Sequence, residues 1–183
     1  MFKYLVVLIL CLNSYIFSEI FFVDPVKSVV SFEVNQFKFS KVKGFFKSYT
    51  IIMDFDKNTK NVKRIESKID INSVYSGNSI RDRHLRSSKF FDILFFPDIL
   101  CIVKVPFNLN NGKVPADIKI KDIEKNIDIT FNYIESTEND VDYHIVDASF
   151  YLKRHDFNVD GYRLLVDNDV KVNLKLYFRS SND

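Results

Sequence analysis

Val170-Lys171-Val172-Asn173-Leu174-Lys175-Leu176-Tyr177-Phe178 sets apolar side chains at every second position against Lys171, Asn173 and Lys175. Successive side chains of an extended strand point to opposite faces, so the stretch reads as a strand with one face in a core and one in water. The same period recurs upstream. Ile127, Ile129, Phe131 and Tyr133 alternate with Asp128, Thr130 and Asn132; Ile118 and Ile120 alternate with Lys119 and Lys121. Earlier still, Ile65, Ser67, Ile69 and Ile71 alternate with Glu66, Lys68 and Asp70, and Val30, Phe32 and Val34 with Ser31, Glu33 and Asn35. The apolar stretches 51–55, 99–105 and 144–152 complete a set of about eight strands. Turn-like segments such as Lys57-Asn58-Thr59-Lys60-Asn61 and residues 108–113 separate them.

Strands in succession, with short connections and no helical period between them, predict an antiparallel sheet rather than β-α-β units. About eight of them favour a closed barrel, because closure removes exposed edges. A barrel of that size is filled by side chains or holds one small ligand. Whether the interior is packed or hollow is therefore the functional question. One segment breaks the rhythm, from Ser76-Gly77-Asn78-Ser79 through Ile80-Arg81-Asp82-Arg83-His84-Leu85-Arg86 to Ser87-Ser88-Lys89-Phe90-Phe91-Asp92. Asn78 or Ser79 can cap a short helix and Ser87 a second one, which predicts a helical insert over one barrel end. Pro97 marks entry to the next strand.

The chain has 183 residues, 46% of them hydrophobic, enough for one domain with a sizeable core. Its formal charge of +2 lacks the basic excess of a nucleic-acid binder. Nineteen Phe and nine Tyr, with no Trp and only four Gly, favour strands. Met1-Phe2-Lys3 followed by an apolar run to Leu12 reads as a signal peptide over residues 1–18, too short to span a bilayer, with the mature domain at 19–183. The chain is thus expected to be periplasmic or secreted, with no transmembrane segment after cleavage. Leu8-Ile9-Leu10-Cys11 offers a competing reading as a lipoprotein box. Cleavage removes Cys11 and leaves Cys101 without a disulfide partner, in an apolar run where a thiol acts as a small hydrophobe.

G-x-S-x-G, H-E-x-x-H, CxxC and Gly-rich phosphate loops are all missing from the sequence. His84, His144 and His155 have no local ligand spacing, so neither a catalytic set nor a metal site is expected. Phenylalanines crowd both the start of the domain and the insert, and they fall on both faces at Phe45-Phe46 and Phe95-Phe96. Such a pattern serves an interior lining and an outer contact surface, such as a dimer face.

Val23-Asp24-Pro25-Val26-Lys27-Ser28-Val29-Val30-Ser31-Phe32, Val42-Lys43-Gly44-Phe45-Phe46 and the run from Asn78 to Asp92 closely resemble the YceI-like family of exported polyisoprenoid-binding proteins. The resemblance continues through Ala148-Ser149-Phe150 and Lys153-Arg154-His155-Asp156-Phe157 to Asp169-Val170-Lys171-Val172. It implies a lipocalin-like barrel with a helical insert whose pore holds a long-chain apolar lipid, often as a homodimer, with no other cofactor. Candidate lining residues are Phe32, Val34, Phe37, Phe39, Phe46, Ile69, Ile71, Leu85, Phe90 and Phe91. Arg81, Asp82 and His84 are candidates for tying the insert to the barrel end or for recognising a head group. The chain departs from the family pattern at Gln36, at Asn158, which can replace Gly in a left-handed turn, and across residues 119–126. The leading reading is a carrier or store of a polyisoprenoid, an isoprenoid quinone or a fatty acid or amide. The rival is an enzyme acting on such a lipid, which requires a convergent polar cluster inside the barrel.

Overall fold

The structure is a computed structural model and describes residues 19–37 and 39–180; the expected signal peptide and Cys11 lie outside them. The strands are β1 (Glu19–Val23), β2 (Val29–Gln36), β3 (Ser40–Phe46), β4 (Tyr49–Phe55), β5 (Asn61–Asp70), β6 (Val74–Tyr75), β7 (Asp98–Val103), β8 (Phe107–Asn108), β9 (Lys113–Ile120), β10 (Ile123–Glu138), β11 (Val141–Lys153) and β12 (Val166–Ser180). One helix, α1, spans Ser79–Arg86, and 3-10 turns cover Ile71–Ser73 and Arg154–Phe157. No helix among the described residues is long and apolar enough to cross a membrane.

β1, β4, β5, β7, β9, β10, β11 and β12 form an eight-strand antiparallel ring that closes through β1 and β12, as Phe21↔Ser180 and Val23↔Phe178 show. At the other end β12 pairs instead with β2, then β2 with β3 and β3 with β6. β1 and β2 are two halves of one broken strand. Pro25 has no N–H for the ladder, and the Asp24 carboxylate accepts from the amides of Val26 (2.9 Å) and Lys27 (3.3 Å) to turn the chain between them. Breaks at Lys47-Ser48 and at the 3-10 turn divide β3 from β4 and β5 from β6 in the same way. Eight strands, three of them interrupted, thus make a barrel long enough to have two distinct ends.

The alternation read from the sequence sets the inner face. Phe178, Leu176, Val30, Ile118, Ile129, Phe131, Ala148, Phe150 and Leu152 are buried, and Phe21, Phe55, Phe178 and Met53 pack one end of the interior. Two expectations need correction. The strand predicted to run to Ile71 stops at Asp70, because the Asp70 carboxylate accepts from the Asn72 amide at 2.9 Å and starts a 3-10 turn. Ser87 starts no second helix. Its hydroxyl donates to the His84 carbonyl (2.7 Å), and its own carbonyl takes the amides of Phe90 and Asp92, which folds the segment into successive turns.

Candidate functional site

Three segments meet at the barrel end farthest from the β1–β12 closure: the β2–β3 turn, the insert 76–97 and the loop 158–165. Asn78 caps α1, its side-chain oxygen accepting from the Ile80 and Arg81 amides at 3.0 Å each. The buried Asp82 carboxylate accepts from the amide and hydroxyl of Ser76. Arg81 donates to the Ser76 hydroxyl (2.8 Å) and carbonyl (2.6 Å). Both side chains therefore clamp the insert on itself, and the expected tie to the barrel comes from elsewhere. Arg86 makes that tie, donating to the carbonyls of Asn72 and Val74 at 3.0 Å each.

Arg154 braces the loop. Its buried guanidinium donates to the carbonyls of Val159 (2.6 Å), Gly161 (2.9 Å), Val166 (2.8 Å) and Asp167 (2.8 Å), charge-assisted bonds that satisfy a non-repetitive backbone. Asn158 takes the left-handed conformation at the end of the preceding 3-10 turn, as its side-chain type allows. Tyr162 bonds His84 Nδ1 through its hydroxyl at 3.2 Å, and the Phe37 amide donates to the Leu165 carbonyl at 2.8 Å, so all three segments are joined. Gly161 lies under the Phe90 ring, where a β-carbon would stand 2.1 Å from Cε2.

Within this frame opens a cavity of about 500 Å³, walled by Phe32, Val34, Phe37, Ile80, Leu85, Phe90 and Leu165, with Asn78, Arg81, His84 and Tyr162 at its polar side. Phe32, Val34, Leu85 and Phe90 also wall a deeper cavity of about 120 Å³ with an apolar surface, bounded by Phe46, Phe91, Leu152, Val170 and Val172 and by Arg154, whose guanidinium is turned to the loop carbonyls. Further down the same inner faces lies a third, of about 80 Å³, bounded by Cys101, Val103, Phe131, Ala148, Leu174, Leu176 and Phe178. Burial pushes the Cys101 thiol up to about 11, so it meets a guest as an apolar atom.

At the opposite end Phe21, Phe55 and Phe178 plug the interior, and a polar cavity of about 290 Å³ opens there, lined by Phe21, Lys57, Glu135, Asp142, Tyr143 and His144. Tyr133 donates to Glu135 (2.9 Å), Lys60 pairs with the same carboxylate, and the Tyr133 hydroxyl lies 2.6 Å from His144 Nδ1. With the Tyr133 hydroxyl proton directed at the Glu135 carboxylate, neutral His144 donates from Nδ1 to the Tyr133 oxygen, a tautomer assigned from the network. The rings of Phe21 and Phe55 each lie 4.8 Å from the imidazole, edge on. Burial lowers the His144 pKa, Lys60 lowers that of Glu135, and burial beside Glu135 raises that of Tyr133. Among the described residues no three His, Cys, Asp or Glu side chains converge as metal ligands would.

Seven of the ten residues chosen from the sequence wall the two upper cavities: Phe32, Val34, Phe37, Phe46, Leu85, Phe90 and Phe91. The other three do not. Ile69 and Ile71 pack into the core, and Phe39 sits beyond the ladder in the β2–β3 turn, 97% exposed. Arg81 and His84 reach the mouth cavity and Asp82 does not. Sequence reasoning missed Leu165 and Tyr162, which line the mouth cavity, and Arg154, which lines the deeper one with Val170 and Val172. It also left Tyr133 and His144 apart, since only the pairing Glu135↔His144 brings them together.

A family model described as "YceI-like domain" matches residues 21–178. A UPF0312 protein of Staphylococcus aureus (strain USA300) is 30% identical over 119 residues, 64% of this chain and 68% of that protein. Among solved structures, Burkholderia cenocepacia BcnA superposes with a TM-score of 0.75 at 20% identity, covering 85% of this chain and 98% of BcnA. A polyisoprenoid binding domain from Saccharophagus degradans gives a TM-score of 0.68 at 16% identity over 87% of this chain and 98% of that one. At those identities the superpositions speak for the barrel alone.

Proposed function

This chain belongs to the YceI-like family, and from that premise we propose that it carries or stores one long-chain apolar lipid inside the barrel. The observation that carries the reading is the succession of apolar cavities along one inner face, from the mouth to Phe178. The walls of the two deeper cavities present almost no polar surface, so a hydrocarbon chain is bound there by removal of apolar surface from water, at about 25 cal/mol per Å². A bulky charged ligand finds no partner below the mouth. The related barrel described as a polyisoprenoid binding domain supports an isoprenoid chain as the guest; a quinone or a fatty acid or amide meets the same apolar walls. Arg81, His84 and Tyr162 stand where a polar head would rest.

The reading includes export, through the signal peptide at residues 1–18, to a compartment where such lipids pass between membranes. The polar groups on which a lipid-modifying enzyme would depend, Tyr133, Glu135 and His144, are bonded to one another at the closed end, with His144 opposite Phe178 in the β11–β12 ladder. That arrangement supports binding rather than chemistry. Mass spectrometry of a solvent extract of the purified protein tests the proposal. One lipid with a long apolar chain, near one equivalent per protein, is expected, and an extract free of lipid from protein that also takes up none would overturn it.

A further inference from the structure

Large apolar side chains stand in water on all three mouth segments: Phe37 and Phe39 on the β2–β3 turn, Ile80, Leu94 (88% exposed) and Phe95 (76%) on the insert, and Leu164, wholly exposed, on the loop. The turns at the closed end, 56–61, 108–113 and 138–141, expose none. Charge divides in the same sense. Residues 36–41, 76–97 and 158–165 carry seven Lys or Arg against three Asp, whereas 56–61, 108–113 and 138–141 carry three Lys against three Asp or Glu. An exposed apolar rim of this kind marks an interaction surface. Apolar and aromatic side chains interleaved with cations are what a bilayer interface receives, the rings and leucines entering among the acyl chains and the cations meeting head groups. A second copy of this chain would bring two positive rims face to face, which like-charge repulsion opposes.

We propose that the mouth face docks on the surface of a phospholipid bilayer bearing anionic head groups. Docked so, the 500 Å³ cavity opens toward the hydrocarbon, and a lipid chain enters or leaves without crossing water. The purpose of the docking rests on the carrier reading, while the docking itself rests on the rim.

Sedimentation with vesicles tests it, using phosphatidylcholine alone and phosphatidylcholine mixed with phosphatidylglycerol. The protein is expected to partition onto the mixed vesicles and to be released by salt. Phe39→Glu with Leu164→Glu should weaken partition by about tenfold or more, and Ile102→Glu with Tyr151→Glu, on exposed parts of the barrel wall, should leave it unchanged. Circular dichroism melts matching wild type show that the rim variant is folded. Absence of partition, or equal losses in rim and wall variants, overturns the proposal. So does a wild-type dimer in analytical ultracentrifugation that the rim variant converts to monomer without any vesicle binding. Solvent extracts separate the two readings. Lipid in the extract without vesicle partition overturns docking and leaves carriage standing, and partition by a protein that neither holds nor takes up lipid does the reverse.

Discussion

The two ends of the barrel are built from the same strands and reach opposite solutions. At the closed end Phe21, Phe55 and Phe178 fill the interior, and Tyr133, Glu135 and His144 bond to one another, with Lys60 on the carboxylate. At the mouth the wall aromatics stand around empty volume, and the polar side chains spend their bonds on holding segments open: Arg154 on loop carbonyls, Arg86 on the 3-10 turn and the start of β6, Asp82 and Arg81 on Ser76. The difference teaches that apolar content alone does not separate a core from a binding cavity. What separates them is whether the surrounding backbone is pinned apart by polar side chains that a collapse would leave unpaired.

The largest expected effect lies at the closed end. Phe55→Ala removes a fully buried ring from a packed site that lines none of the three cavities and should cost about 3–5 kcal/mol in urea melts, with lipid per folded molecule unchanged. Arg154→Ala strikes the mouth, leaving four carbonyls without their donor, and should cost about 3 kcal/mol. Amide exchange should rise in residues 158–166, and here the lipid content of folded protein should fall. Arg154→Lys should not restore it, because one ammonium cannot reproduce the guanidinium fork.

Gly161→Ala asks a finer question. The added methyl drives the Phe90 ring from its place, and the space open to that ring is the mouth cavity and the deeper one, both of which it walls. A cost of about 1–3 kcal/mol is expected, as for overpacking, together with a reduced lipid load. Equal load in wild type and variant would remove Phe90 from the wall of the working site. The smallest effect is in pH dependence. Burial depresses the His144 pKa below its ordinary 6.5, so on acidification the unfolded chain takes the proton first. Stability is complete above about pH 6.5 and declines below it until the folded-state pKa is reached. His144→Gln should flatten this slope in melts between about pH 7 and 5. Some slope should persist, since burial and Arg154 depress His155 in the same direction.

How far the sequence discloses these ends follows from the range of the interactions involved. Period-two alternation reports which way a side chain points, so Phe32, Val34 and Phe46 could be placed on the inner wall, and the break in that period located the insert. Alternation does not report where a ladder stops. Phe39 follows its neighbours' aromatic pattern yet falls in the turn, and Ile71 keeps its inward phase while Asp70 ends the strand beneath it. Anchors are harder still. Arg81 and Arg86 are both arginines of one short helix, and only the placement of β6 beside β3 decides that Arg86 meets the Val74 carbonyl while Arg81 turns back to Ser76. The Tyr133–His144 contact depends on a cross-strand register that no local pattern encodes.

The most direct test of the central claim, a lipid chain held in the upper barrel, is the thermal melt of stripped protein titrated with a polyprenyl lipid. A ligand that binds only the folded state stabilises it by about 2.7 kcal/mol at 100 times its dissociation constant. The account predicts a saturable rise in melting temperature that Gly161→Ala diminishes and Phe55→Ala, from its lower baseline, keeps in full. Identical melts for stripped and lipid-saturated wild-type protein would contradict it.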